Sequence, residues 1–418
     1  MSEYQTPRGT RDIMPEQMKM LEWMSKRLKP VVELYGYLPV ETPAFESFDL
    51  LAGKSGADIE QEIFSFTDKG GRKMGLRFDG TVPIARIVAS NPAIPKPVKY
   101  YYLSRYWRYD EPQAGRYREF WQLGVELIGS EYIEADAEVI ACAAACVKAL
   151  GIKDFKINLN DRRIFDPLVN GKNHLNICRI IDKMDKKDPD EIRKLLKNEA
   201  AEKTDDIMDL CSLKGDPSKI LDTAEQVVGK IDAIVSLREL VDFLEKCDLG
   251  RNLAVDLSIV RGLDYYTSTV FEVKEPGYNL TLVGGGRYDK MIGVYSGINT
   301  PATGWAMGID RMMDVLAQRN LFPKTSFMAK AAVIPVNMEM DALAIAERLR
   351  SKGILTIMEL KRRKLGKSIE WASKNAQYAV IVGESDMKKG QVTIRNLETG
   401  NEWKAMVSDV AAQLNLAQ

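Results

Sequence analysis

The sequence of 418 residues contains a single histidine, His174. That scarcity argues against histidine triads, histidine general bases and histidine-rich metal sites, each of which needs imidazoles beside the chemistry. His174 precedes a charge-rich helical stretch far from the motifs described below, and a surface or turn residue is expected there. Cysteine is also sparse. The five cysteines, at 142, 146, 178, 211 and 247, are odd in number and never form a Cys-x-x-Cys pair. Free thiols are therefore expected, with neither a disulfide framework nor a zinc site. Lys plus Arg and Asp plus Glu are both 59, so the chain has no net charge. It is not a generic polyanion binder, and any nucleic-acid contact must come from local patches. No apolar run has membrane-spanning length and no signal-peptide core is visible, so the expectation is a cytoplasmic chain without membrane association. Chemistry must then run on arginines, carboxylates, tyrosines and bound metal.

What is present divides the chain into blocks. "MPEQMKMLEWMSKRLKPVVELYGY" has helical apolar spacing closed by Gly36, and "YLPVETPAFES" is extended and kinked by prolines. Two strand-like runs, "VKYYYLSRYWRY" and "YREFWQLGVELIG", are joined by "DEPQAGR", which predicts a hairpin with a long tip. An alanine-rich helix ends at Gly151. Residues 173–248 are dense in Lys, Asp and Glu with leucines at helical spacing, as in an inserted helical domain. Strand and glycine texture returns from Asn252 to Gly308. From about Ala331, strands and helices alternate, which predicts a small α/β domain with a parallel or mixed sheet.

Strand parity locates the candidate chemistry. In "FWQLGVELI", Trp121, Leu123, Val125 and Leu127 share one face, and Phe120, Gln122, Gly124 and Glu126 share the other. The polar face is either a pocket floor, with Gly124 leaving room for a ligand against the backbone, or an outer sheet face washed by solvent. Arg108, Arg116 and Arg118 cluster around the hairpin. They suit a triphosphate clamp, since guanidinium groups bind phosphate bidentately and stay charged; a surface paired with Asp110, Glu111 and Glu119 is the plainer alternative. The glycines of "LVGGGRYDKM" match neither the P-loop nor the Rossmann spacing, leaving close backbone packing or ligand contact. "SIVRGLDYYTSTVFE" places Arg261 at the start of an apolar and aromatic strand, with Asp256 and Asp264 as its plainest partners.

Taken together, "VETPAF", "YWRYDEPQAGRYREFWQLGVELIG" and "ATGWAMGIDRMM" resemble motifs 1, 2 and 3 of class II aminoacyl-tRNA synthetases. "RGLDYYTSTVFE", "TPRGTRDIMPEQ" and "LRFDGTVPIAR" resemble signatures of the histidyl-tRNA synthetase family. The resemblance spans nearly the whole chain. It implies an α+β fold: a mixed, mainly antiparallel sheet with flanking helices forms the catalytic domain (1–172 and 249–325), interrupted by a helical insertion (173–248) and followed by an α/β anticodon-binding domain (331–418). It further implies adenylation of histidine by ATP with Mg²⁺, transfer to a histidine tRNA, and a homodimer joined through motif 1. By the same resemblance Asp79, Gly80, Thr81 and Gln122 surround the substrate α-amino group, and Glu126 and Tyr266 bond the imidazole beside Tyr265. Arg108 takes the α-phosphate and carboxylate, Arg116 and Arg118 the outer phosphates, and Phe120 and Arg311 sandwich the adenine. Arg261 becomes the cation that stabilises charge growing on the α-phosphate. "ELKRRKLGKS" supplies a basic patch for tRNA at Lys361, Arg362, Arg363 and Lys364. Asp310 departs from the family's usual Glu, which leaves open what it contacts. The rival reading is a non-catalytic regulatory paralogue of the kind that serves ATP phosphoribosyltransferase, which lacks the anticodon-binding domain.

Overall fold

The computed structural model describes residues 4–53, 57–113, 115–169, 173–184, 187–262, 264–278, 280–323 and 328–416. The expected domain edges at 172 and 325 and the chain's last two residues lie outside these. The chain divides into two compact units, Met1–Phe322 and Pro323–Gln418.

The first unit is built on a sheet of nine strands. In spatial order they are Leu38–Pro39, Val98–Trp107, Glu119–Ile128, Ala302–Gly308, Val283–Arg287, Thr269–Lys274, Lys156–Asp161, Leu253–Asp256 and Lys214–Gly215. All neighbours are antiparallel except the first pair and the pairing of Lys156–Asp161 with Leu253–Asp256. Period-2 alternation splits the central strand as the sequence predicts: Leu123, Val125 and Leu127 enter the main core. The helix Pro15–Leu34 packs on that core through Leu21, Met24, Leu28 and Val32, spaced three to four residues apart on one stripe. Burying each such side chain stabilises the fold by about 1.5–3 kcal/mol. Pro15 sits in its first turn, where a missing N–H costs nothing, and Gly36, at φ +79°, ends the run. The alanine-rich helix Ile133–Ala149 lies against the same core.

The segment 173–248 forms the helices His174–Ile181, Pro189–Ala200, Thr204–Ser212, Pro217–Val228 and Asp232–Lys246. Their apolar faces, including Ile177, Leu196, Leu210 and Leu237, belong to the same core as the sheet. Its strand Lys214–Gly215 closes the sheet edge against Leu253–Asp256. The expected insertion is thus helical but shares one core with what surrounds it.

The second unit has a sheet ordered Thr356–Met358, Ala329–Val336, Ala376–Gly383, Gln391–Asn396 and Glu402–Met406. The first three strands are parallel and the last two antiparallel, the mixed sheet expected. Along Ala329–Val336, Ala331 and Val333 pack into one core and Ala332 and Ile334 into another, so both faces are covered.

Candidate active site

The polar face of Glu119–Ile128 is the floor of a cleft of about 1000 Å³. Its acidic end is built around Glu126, only 1% exposed. Thr81 Oγ1 donates to Glu126 Oε1 at 2.8 Å, the Tyr102 hydroxyl reaches the same oxygen at 3.4 Å, and the Tyr288 hydroxyl donates to Oε2. Burial pushes the Glu126 carboxyl up to about 8, although the Tyr288 and Thr81 bonds pull the other way. Asp79, also buried, precedes the helix Thr81–Ser90; it accepts from Val82 N and from the Tyr265 hydroxyl, each at 3.2 Å. Burial raises its carboxyl as well, opposed by the charge of Arg108. Tyr265 and Tyr266 stack with ring centroids 4.9 Å apart, and Gln122 brings a buried Oε1 that has no protein partner. A pair of carboxylates and a bare amide oxygen form an acceptor-rich pocket fit for an ammonium and a nitrogen heterocycle.

The other end is cationic. Arg108 donates from Nε to Phe78 O at 3.0 Å and stands 5.4 Å over the Phe120 ring. Arg311, in the first turn of the helix Ile309–Gln318, donates to Gly115 O at 3.2 Å and Thr281 O at 2.8 Å. Burial, followed by the like charges of Arg116, Arg108 and Arg261, drags the Arg311 pKa down to about 10. Four guanidinium groups that converge on one end of a cleft are poised for a polyanion. Arg116 pairs with Asp110 at 3.4 Å. Arg118 does not join them: it donates from Nε to Asp110 O at 3.0 Å and stacks 4.0 Å from the Tyr109 ring, outside the cleft lining. The hairpin tip therefore presents two of the three expected arginines.

Arg261 is not on a strand. It lies in the loop between Asp256 and Thr269 at φ +59°, and the strand begins only at Thr269. Its Nη1 lies 2.6 Å from Glu272 Oε1, across the loop, and neither expected partner takes it: Asp256 accepts from Ser258, and Asp264 binds Arg179. The guanidinium lies over Gly284, where an added Cβ would come within 2.5 Å of Arg261 Cζ. The glycine run is thus close packing in the strand Val283–Arg287, with one glycine admitting the arginine. Gly124 is different from expectation. The space it leaves is filled by the Tyr102 ring, which also lies against Gly80, so no ligand room opens there.

Asp310 has a definite role. Its Oδ2 accepts from Trp121 N at 2.8 Å and its Oδ1 binds Arg11, tying the helix start to the floor strand and the N-terminal segment. Parity with Ser104 and Tyr106 could have revealed Tyr102; nothing local signalled Tyr288, Glu272 or Arg11. His174 is half-buried and not a surface residue: Nδ1 sits 2.5 Å from Asp166 Oδ1, and the hydrogen bonds of Asp166 and Cys178 push its pKa up to about 9. In the second unit Lys361, Arg362 and Lys364 are exposed, whereas Arg363 is held by the buried Glu359.

A mainly antiparallel sheet whose floor strand separates buried carboxylates from converging arginines is the catalytic architecture of a class II aminoacyl-tRNA synthetase. Residues 9–312 match the histidyl-tRNA synthetase family model and residues 330–415 match an anticodon-binding domain model. A histidine–tRNA ligase of Pyrococcus abyssi is 41% identical across 97% of each chain. Among solved structures, a histidyl-tRNA synthetase from Nostoc superposes over the full length of both chains (TM-score 0.78, 23% identity). An ATP phosphoribosyltransferase regulatory subunit/histidyl-tRNA synthetase from Bacillus halodurans covers 92% of this chain and all of its own (TM-score 0.75, 25% identity). The chain belongs to the histidyl-tRNA synthetase family and is an aminoacyl-tRNA ligase that joins histidine to its tRNA. The two domain matches and the relatives' description as histidine–tRNA ligases favour the ligase over the regulatory paralogue.

Proposed function

We propose that histidine and ATP meet head to tail along this cleft, histidine at the carboxylate end and the nucleotide at the arginine end. The contrast between the buried carboxyl groups and bare amide oxygen at one end and the converging guanidinium groups at the other carries the reading. Asp79, Thr81 and Gln122 take the α-ammonium, Gln122 through its bare buried Oε1, with Gly80 beneath them. Glu126 and Tyr266 each bond one imidazole nitrogen, and Tyr265 closes the pocket. Arg108 bridges the substrate carboxylate and the α-phosphate, Arg116 binds the outer phosphates, and Phe120 and Arg311 flank the adenine. Arg118 fastens the loop that presents Arg116 and contacts phosphate only if that loop moves. As the carboxylate attacks phosphorus and pyrophosphate leaves, charge grows on the phosphoryl oxygens. A fixed Arg261 stabilises that state more than the ground state.

Mg²⁺ enters as part of the nucleotide substrate. Among the described residues no three of His, Cys, Asp and Glu gather into a cage, and Mg²⁺ held largely by phosphate oxygens needs none. The exposed Lys361, Arg362 and Lys364, with Arg363 behind them, are the contact for histidine tRNA. A homodimer is supported by the exposed Phe45 of the motif 1 stretch and the exposed Leu34 and Leu38 just before it. A cytoplasmic location is supported by five free cysteines and by the absence, among the described residues, of any helix long and apolar enough to cross a membrane. The domains are a catalytic unit to about 322, with the helices 173–248 inside it, and a tRNA-reading unit beyond, a division supported by the two compact units. Pyrophosphate exchange with each of several amino acids tests the site: exchange driven equally by histidine and by an apolar amino acid would sink the assignment of Glu126 and Tyr266.

A further inference from the structure

The N-terminal stretch Pro7–Arg11 has no place in the chemistry above, yet it is wrapped around the arginine-bearing hairpin tip. Thr10 turns the chain back on Pro7, its N and Oγ1 both donating to Pro7 O, at 3.0 and 2.8 Å. Arg118 N donates to Gly9 O at 2.8 Å. Gly9, at φ +82°, lies so close that an added Cβ would be 2.7 Å from Arg118 Cγ and 2.9 Å from Pro112 Cγ. Arg11 makes the decisive contacts. Its guanidinium stacks on the Tyr117 ring at 3.5 Å and binds Asp310 Oδ1. Both partners line the nucleotide end of the cleft, and Asp310 also holds Trp121 N while the adjacent Arg311 donates to Gly115 O. One side chain thereby joins the tip loop, the floor strand and the helix that carries the adenine-facing arginine.

Arg11 is a poor choice for stability alone. Its side chain is 23% exposed, and its Nε and Nη1 are buried without a hydrogen-bond partner. Unpaired buried donors destabilise a fold, and an apolar side chain of similar length would cover Tyr117 without them. What an apolar replacement could not supply is the planar cation that holds a carboxylate and a ring in fixed relation.

We propose that Arg11 is a positioning residue for the nucleotide half of the site, and that Pro7–Arg11 is a strap that holds the tip loop in its ATP-binding shape. The inference rests on the reading of Arg116 and Arg311 as ATP contacts. Histidine-dependent pyrophosphate exchange, with ATP and histidine titrated separately, tests it on the full chain. Arg11→Met should raise the KM for ATP on the order of ten- to a hundredfold, with the histidine KM held within about twofold. Arg11→Lys should fall between, keeping charge for Asp310 but losing the stack. Tyr117→Leu removes the stack from the other side and should move the ATP KM in the same direction, which covers the case of an Arg11 variant that does not fold. Arg311→Ala calibrates the site. If it raises the ATP KM and neither Arg11→Met nor Tyr117→Leu does, the strap is wrong and the ATP site stands. If Arg311→Ala leaves the ATP KM unchanged, both fall. Equal losses for ATP and histidine, with a lowered melting temperature, would overturn the inference in favour of a purely structural anchor.

Discussion

Arg261 and Glu272 face each other 2.6 Å apart, the arginine in a left-handed loop and the carboxylate on the strand that follows it. Glu272 also accepts from Thr281 Oγ1 at 2.8 Å and pairs with Lys274 at 3.0 Å. Burial pushes its carboxyl up, but Arg261 and Lys274 overcome this and hold it below the usual range. The cation assigned to the transition state is therefore aimed by a fixed anion before substrate arrives. Removing one such preorganised group lowers rates on the order of a hundred- to a thousandfold, so Arg261→Ala should cut single-turnover adenylation by that factor while ATP binding changes little. Arg261→Gly should melt higher than Arg261→Ala by the equivalent of about 1 kcal/mol, since both lack the guanidinium and only glycine relieves the positive φ. A wild-type adenylation rate in either variant would refute the assignment.

Glu126 should make stability depend on pH. Burial pushes its folded carboxyl up from the ordinary 4.5 to about 8. Between those values the folded chain keeps a proton that the unfolded chain releases, so stability falls as pH rises through the window, at up to about 1.4 kcal/mol per unit. Glu126→Gln removes that slope. Its melting temperature should gain on that of the native chain steadily from pH 5 to pH 8, and a constant difference would contradict the buried, protonated carboxyl.

In histidine binding, Glu126→Ala leaves one imidazole nitrogen without its partner. That should weaken histidine by about 1–3 kcal/mol, read as a raised histidine KM in pyrophosphate exchange. ATP affinity should be nearly unchanged.

A separate stability test lies away from the cleft. Asp136 and Arg287 form an ion pair 2.9 Å apart, with side chains 3% and 6% exposed. Asp136→Ala would leave the buried guanidinium only the more exposed Asp289, 3.2 Å away, at a cost of up to about 3–5 kcal/mol, visible as a lowered midpoint in urea. A midpoint shift of the size expected for an exposed pair would show that Ser130 O and Tyr132 O, which also accept from Arg287, suffice without the carboxylate.

The basic patch should divide in two. Arg362, whose side chain is 78% exposed, pairs loosely with Glu339, at 3.6 Å, so Arg362→Glu together with Lys361→Glu should weaken tRNA charging and its salt dependence without altering adenylation. Arg363 neutralises the buried Glu359. Arg363→Glu should instead destabilise the second unit by about 3 kcal/mol, seen in its melting.

How much of this could be read from sequence depended on whether a regular period carried it. The face that holds Gln122 and Glu126 was legible because side chains alternate along a strand whatever the tertiary context. The helix Pro15–Leu34 was legible for the same reason at period 3.6. That Arg118 stands outside the cleft lining was not legible because the tip that carries it follows no period; its direction is set by Gly9 and the Asp110 carbonyl. Arg261 was placed on a strand because "RGLDYYTSTVFE" is rich in residues that favour strands, and pairing of Thr269 with Asp161 decides where the ladder begins. Gly124 read as ligand space because local sequence cannot show that Tyr102, on the neighbouring strand, lies across it. The Arg11–Asp310 contact joins residues 299 apart in the chain, beyond any local signal.

The continuity of the main core has a consequence for how the first unit comes apart. Ile177, Leu196, Leu210 and Leu237 of the helical segment pack in the same cluster as Leu123, Val125 and Leu159 of the sheet. Asp232–Lys246 packs on the helix Ile133–Ala149 and on the strand Lys156–Asp161, so opening those helices would uncover the core that the strand carrying Glu126 shares. Amide protons in Asp232–Lys246 should therefore exchange with solvent at the slow rate of Glu119–Ile128, through one cooperative opening and without a looser step of their own. The catalytic floor and the helices that share its core are a single unit of unfolding, and damage to one is felt at once by the other.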